Sequence, residues 1–72
     1  AYSAKELSAV LNAFLRTLEE EPRRLFIRRY WYFDSIAQLA QDFGMSESKV
    51  KSMLFRLRNR LRDVLRKEGY DV

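Results

Sequence analysis

"SIAQLAQDFGMSESKVKSMLFRLRNRLR", Ser35–Arg62, decides how this 72-residue chain is read. Ser35 with Gln38 three residues on makes a capping box, so a helix opens there. Ile36, Leu39, Ala40 and Phe43 give it a short apolar stripe, and Gly44 sits where a helix ends in the left-handed conformation. Ser46 caps a second helix, with Glu47 in its first turn. Val50, Met53, Leu54, Leu57 and Leu61 form its inner stripe, which continues through Val64 and Leu65 before Gly69 stops it. Phe55 departs from this order. It falls among Ser48, Lys51, Ser52, Arg56 and Asn59, which face away from the stripe, so an aromatic ring stands in the middle of a polar face.

Upstream, Ser3 and Glu6 make a further capping box, and Tyr2 is placed to staple onto Leu7. Leu7, Val10, Leu11, Phe14, Leu15 and Leu18 repeat at three and four. Pro22 suits the first turn of another helix, with Glu19, Glu20 and Glu21 just before it at the positive end of the dipole. Leu25, Phe26, Tyr30 and Phe33 are its expected buried side. "YWYF", 30–33, is rich in β-formers but short and unpaired, and reads as the end of that helix and a corner. The expected architecture is all-α: four helices at about 3–19, 22–32, 35–43 and 46–67, with a C-terminal helix-turn-helix and a long last helix. The chain spans one small domain, 1–72, and reads as a piece of a longer protein.

Composition narrows the functions. There is no cysteine and no histidine. Disulfides, thiolate metal sites, the commonest general base and the commonest metal ligand are therefore excluded. No phosphate loop or carboxylate pair stands out, so no enzyme, metal or cofactor is expected. No apolar run approaches the roughly 18 residues of a membrane span. Net charge is +4, unevenly spread. Residues 1–36 hold six basic against five acidic side chains, whereas 46–68 hold eight against three. Positive charge gathered on one helix points to a polyanion, nucleic acid first.

A short bracing helix, a glycine turn and a basic helix with small polar residues in its first turns together suit major-groove entry. Ser46, Glu47, Ser48, Lys49, Lys51 and Ser52 supply those turns, and arginines further along reach phosphates. Glu47 reads first as a cap, with acceptance from cytosine N4 as its functional alternative. Phe55 reads as a thymine-methyl contact, against packing onto the preceding helix. Arg58 and Arg60 flank the stripe and suit snorkelling over it. Trp31 and Tyr30 read as a hinge of the core. The spacing of Val50, Leu54, Leu57, Leu61 and Val64 also fits a coiled-coil seam, but over only about two heptads.

Glu21–Arg62 resembles region 4 of bacterial sigma-70-type factors, most closely the extracytoplasmic-function group. The resemblance rests on Pro22, Arg29-Tyr30, Ser35 through Ala40, Phe43-Gly44-Met45-Ser46, and Val50-Lys51-Ser52 followed by Arg56-Leu57-Arg58. It implies a domain that binds the promoter −35 element and docks on the β-subunit flap of RNA polymerase. It further implies a bacterial cytoplasmic setting, with an anti-sigma factor as a further partner and a monomer in isolation. Carried over, Lys51, Ser52, Phe55 and Arg56 face the DNA, with Asn59 on the same face. Arg29 and the helix start at Ser35 hold phosphate, a role helix N-termini suit through their free N–H groups. Met53 stands in place of a basic residue, Ser48-Lys49 in place of Gly-Thr, and Ile36-Ala37 in place of polar residues. The rival readings are a dimeric LuxR-type regulator on a palindromic operator and an interaction-only sigma-like module.

Overall fold

The computed structural model describes residues 3–71. Four helices follow in order: α1 Ala4–Arg16, α2 Glu20–Tyr30, α3 Ile36–Phe43 and α4 Glu47–Lys67, with no strand among the described residues. The architecture is all-α, as the patterning predicts. Three serines open helices as read. Ser3 Oγ accepts from the Glu6 N–H at 3.1 Å, Ser35 Oγ from Gln38 N–H at 3.0 Å, and Ser46 Oγ from Lys49 N–H at 3.1 Å. Each satisfies one of the N–H groups a helix start leaves without an internal partner. The Tyr2 staple lies outside the described residues.

α4 is the spine, packing against α1, α2 and α3. At 21 residues it is about 31 Å long. Its inner stripe serves two cores in succession. Val50 and Leu54 join Leu25 of α2 and Leu39 and Ala40 of α3. One turn on, Leu57 joins Phe14 of α1, Leu18 and Phe26. Tyr30 packs against both groups. Phe14 meets Phe26 edge-on at 5.8 Å between ring centroids, a favoured geometry for aromatic pairs. This intramolecular cover accounts for the apolar spacing that also fits a coiled-coil seam. Met53 and Ile36 pack against the first core, so their replacement of polar family residues adds apolar cover.

Several boundaries and burials differ from the sequence reading. α1 stops at Arg16 because Thr17 turns back, its Oγ1–H donating to the Phe14 carbonyl at 2.6 Å. Leu18 is still buried, but from the turn. α2 starts at Glu20, so Glu20 and Glu21 lie inside its first turn with Pro22, rather than before it. Leu7 stays exposed near the open start of α1.

The largest correction is Phe33, expected inside and found 83% exposed with φ at +59°. The cause is Asp34. Its N–H donates to the Arg28 carbonyl (3.1 Å), its carboxylate accepts from Arg28 Nε (2.7 Å), and its carbonyl accepts from Arg29 Nη1 (3.0 Å). Three bonds close the α2–α3 corner tightly and turn Phe33 out in a left-handed conformation. Trp31 and Tyr32 share the exposure. A bulky residue in that backbone region costs roughly 1–2 kcal/mol. Asparagine tolerates it better, so Phe33→Asn is expected to raise stability by about 0.5–1 kcal/mol, read from the urea midpoint. A lowered midpoint would instead give the Phe33 ring a supporting role.

Candidate nucleic-acid interface

The turn between α3 and α4 is built for a sharp change of direction. Gly44 takes φ 65°, ψ 38°, and the Met45 N–H closes on the Ala40 carbonyl at 3.0 Å. Only glycine enters this region without steric penalty. The turn delivers the first residues of α4 to the surface. Ser46, Glu47, Ser48, Lys49, Lys51, Ser52 and Arg56 are all exposed. Ser46 and Ser35 use a lone pair for capping, which leaves each hydroxyl hydrogen as a donor.

Phe55 is 58% exposed on the outer side of α4. Together with Lys51, Ser52, Arg56 and Arg58 it lines an open hollow of about 490 Å³. The ring is therefore neither folded under α3 nor part of either core. Asn59 is half-buried rather than fully outward. Arg29 is also half-buried, with Nη1 committed to the Asp34 carbonyl. Its remaining guanidinium N–H groups are still donors.

Two arrangements escape the sequence reading. Arg58 does more than snorkel: its Nη1 donates to the Tyr30 hydroxyl at 2.7 Å, tying α4 to the end of α2. Behind that bond, Leu11, Phe26, Tyr30, Trp31 and Leu61 line an apolar cleft of about 310 Å³ with Arg58 at its edge. Trp31, half-exposed, is thus a cleft wall and not an interior hinge. The second arrangement is ionic. Arg28 donates from Nε to Asp34 and from Nη2 to Asp42 at 2.6 Å, while Gln38 Nε2 donates to the other Asp42 oxygen at 2.8 Å. Bonds from Arg28 and then Gln38 hold the Asp42 carboxyl below its ordinary value of 3.8. Only Gln38–Asp42 has the i,i+4 spacing that a sequence reveals. The pairs made by Arg28 depend on how α2 packs against α3.

Residues 8–61, from the first turns of α1 well into α4, match the family model described as Sigma-70, region 4. The chain belongs to the sigma-70 region 4 family. No curated protein gives a significant match. Region 4 is the sigma-factor domain whose general role is to bind promoter DNA at the −35 element alongside RNA polymerase, and it is not a catalytic family. In this region 4 domain the matched segment contains the whole helix-turn-helix, α3 and the first part of α4. No helix among the described residues is long and apolar enough to cross a membrane.

Proposed function

We propose that the outer face of α4 reads the −35 element of a promoter, as region 4 of an extracytoplasmic-function-type sigma factor working in the bacterial cytoplasm. The observation that carries this is the exposed Phe55 ring in a hollow whose other walls are Lys51, Ser52, Arg56 and Arg58. An apolar ring held in water among cations has little to gain, whereas in a major groove the thymine C5-methyl is its natural contact. Lys51 and Arg56 supply charge to phosphates or guanine edges, and Ser46, Ser48 and Ser52 supply small donors close to the bases. Glu47 and Lys49 flank the entry, and Asn59 lies further along the same side. The α3 start at Ser35 and the side chain of Arg29 hold a phosphate on the groove wall. The domain acts as a monomer docked on the β-subunit flap, open to capture by an anti-sigma factor.

The test has two arms. Wild-type protein is offered a randomised duplex pool and, separately, the isolated β flap. Failure of both arms overturns the reading, and a site recovered only as a palindrome bound by dimers replaces it with a two-fold regulator. In the recovered site each thymine is then changed to deoxyuridine, which removes one methyl. At the Phe55 contact the loss is expected to be about 0.8 kcal/mol, roughly fourfold in Kd. The Phe55→Ala protein should show no penalty for the same change. A fourfold penalty that persists without the ring would assign the methyl to another residue.

A further inference from the structure

Arg28 is placed unlike any other cation among the described residues. It joins Asp34, which precedes the α3 cap, to Asp42, which is next to last in α3. One guanidinium therefore grips both ends of an eight-residue helix. Its carbon lies 5.6 Å from the centre of the Phe43 ring, and that of Arg24 lies 5.7 Å from the same ring. The second Asp42 oxygen is taken by Gln38. None of the charged groups is in a core, although the Phe43 ring beneath them packs against the first one. Arg28 and Asp34 side chains keep 28% and 29% of their surface exposed, and Asp42 keeps 36%.

The two sides of α3 are held by different physics. Leu39 and Ala40, flanked by the partly buried Ile36 and Phe43, seal it to α4 and α2 through apolar contact, which is non-directional and fixes the roll of a helix less sharply than an angular bond does. The bonds of Arg28 are short, charged and fixed in angle by a planar fork, so they resist such a roll. A roll of α3 would swing the Gly44–Met45 turn, and with it the Ser46–Lys49 start of α4. It would also re-aim the Ser35 end.

Resting on the DNA-reading role proposed above, we infer that Arg28, through Asp34 and Asp42, is a positioning residue for sequence discrimination, setting the roll of α3 and hence the register of α4 in the groove. It touches no base. The depressed ionisation of Asp42 agrees with a carboxylate kept charged for this bond.

The decisive variant is Asp42→Asn. It removes a negative charge, so charge alone predicts tighter binding to every DNA. Positioning predicts the opposite on the selected site. Wild type, Asp42→Asn and Arg28→Lys are compared by fluorescence anisotropy on the duplex recovered from the pool and on a scrambled duplex. Lysine keeps the charge of Arg28 but lacks the fork that spans two carboxylates. Both variants are expected to bind the selected site about five- to tenfold more weakly, and the scrambled duplex as wild type does or slightly better. Thermal midpoints should stay close to wild type, while amide exchange over 38–44 speeds up and that of Phe14 and Leu57 does not. Asp42→Asn binding the selected site as tightly as wild type would overturn the inference. So would losses of equal size on both duplexes, whether they follow the thermal midpoint or, with the midpoint unchanged, mark a sequence-independent contact of Arg28 with phosphate. A wild-type protein that selects no sequence fails in its own arm, and removes the DNA reading and this inference together.

Discussion

Leu39→Ala is expected to leave much of the protein unfolded at room temperature, with helical circular dichroism lost and no cooperative urea transition. Leu39 is fully buried, and so are Leu25 and Val50 of the same cluster. Truncating a buried leucine costs about 2–5 kcal/mol, the lost transfer energy plus the cavity left behind. A chain of this size draws only roughly 3–5 kcal/mol from a single core, so the loss is comparable with the whole. Leu7→Ala provides the contrast. The residue belongs to the same kind of apolar stripe but is exposed, and its loss should move the urea midpoint little. Equal effects from the two would mean that the core is not where the burial pattern puts it.

Lys51→Glu combined with Arg56→Glu should abolish DNA binding without harm to the fold. Both residues are exposed, and both line the hollow around Phe55. Losing two phosphate contacts should flatten the salt dependence by about 1.8 in log–log slope, and reversing the charges adds repulsion. A drop in affinity on the order of a hundredfold or more follows at moderate salt, for specific and scrambled duplexes alike. The thermal midpoint should stay near that of wild type, because neither side chain enters a core. Retained binding would move the interface off α4.

These effects fall on opposite faces of one helix, and that division was visible in the sequence. The i, i+3, i+4 pattern placed Val50, Leu54 and Leu57 inside, and all three are buried. The caps at Ser3, Ser35 and Ser46 and the stop at Gly44 were legible because a helix end has few chemical solutions. What failed was the corner. Periodicity put Phe33 with Leu25, Phe26 and Tyr30, but the bonds of Asp34 end α2 at Tyr30 and reset the phase. Hydrogen bonds across a corner, five and six positions apart, follow neither the helical nor the strand period and so leave no mark in the hydrophobic pattern. The same limit hid Arg28–Asp42 and Arg58–Tyr30, separated by 14 and 28 positions. The outer face of α4 was read from residue type and helical angle, and Asn59 is more covered than that simple wheel allows; Arg29 of α2, assigned through the resemblance, is half-buried as well.

α4 is one rod threaded through both cores, with Val50 and Leu54 in the first and Leu57 in the second. Such a rod has no hinge along the stretch that faces outward. Tilting it as a whole would open both cores together, so any cheap adjustment of the outer face is confined to its α3-coupled start, ahead of Val50. Control over this domain is then a matter of occlusion. On the DNA-reading role proposed above, an inhibitor would act by covering the face, because tilting the whole helix would unpack both cores.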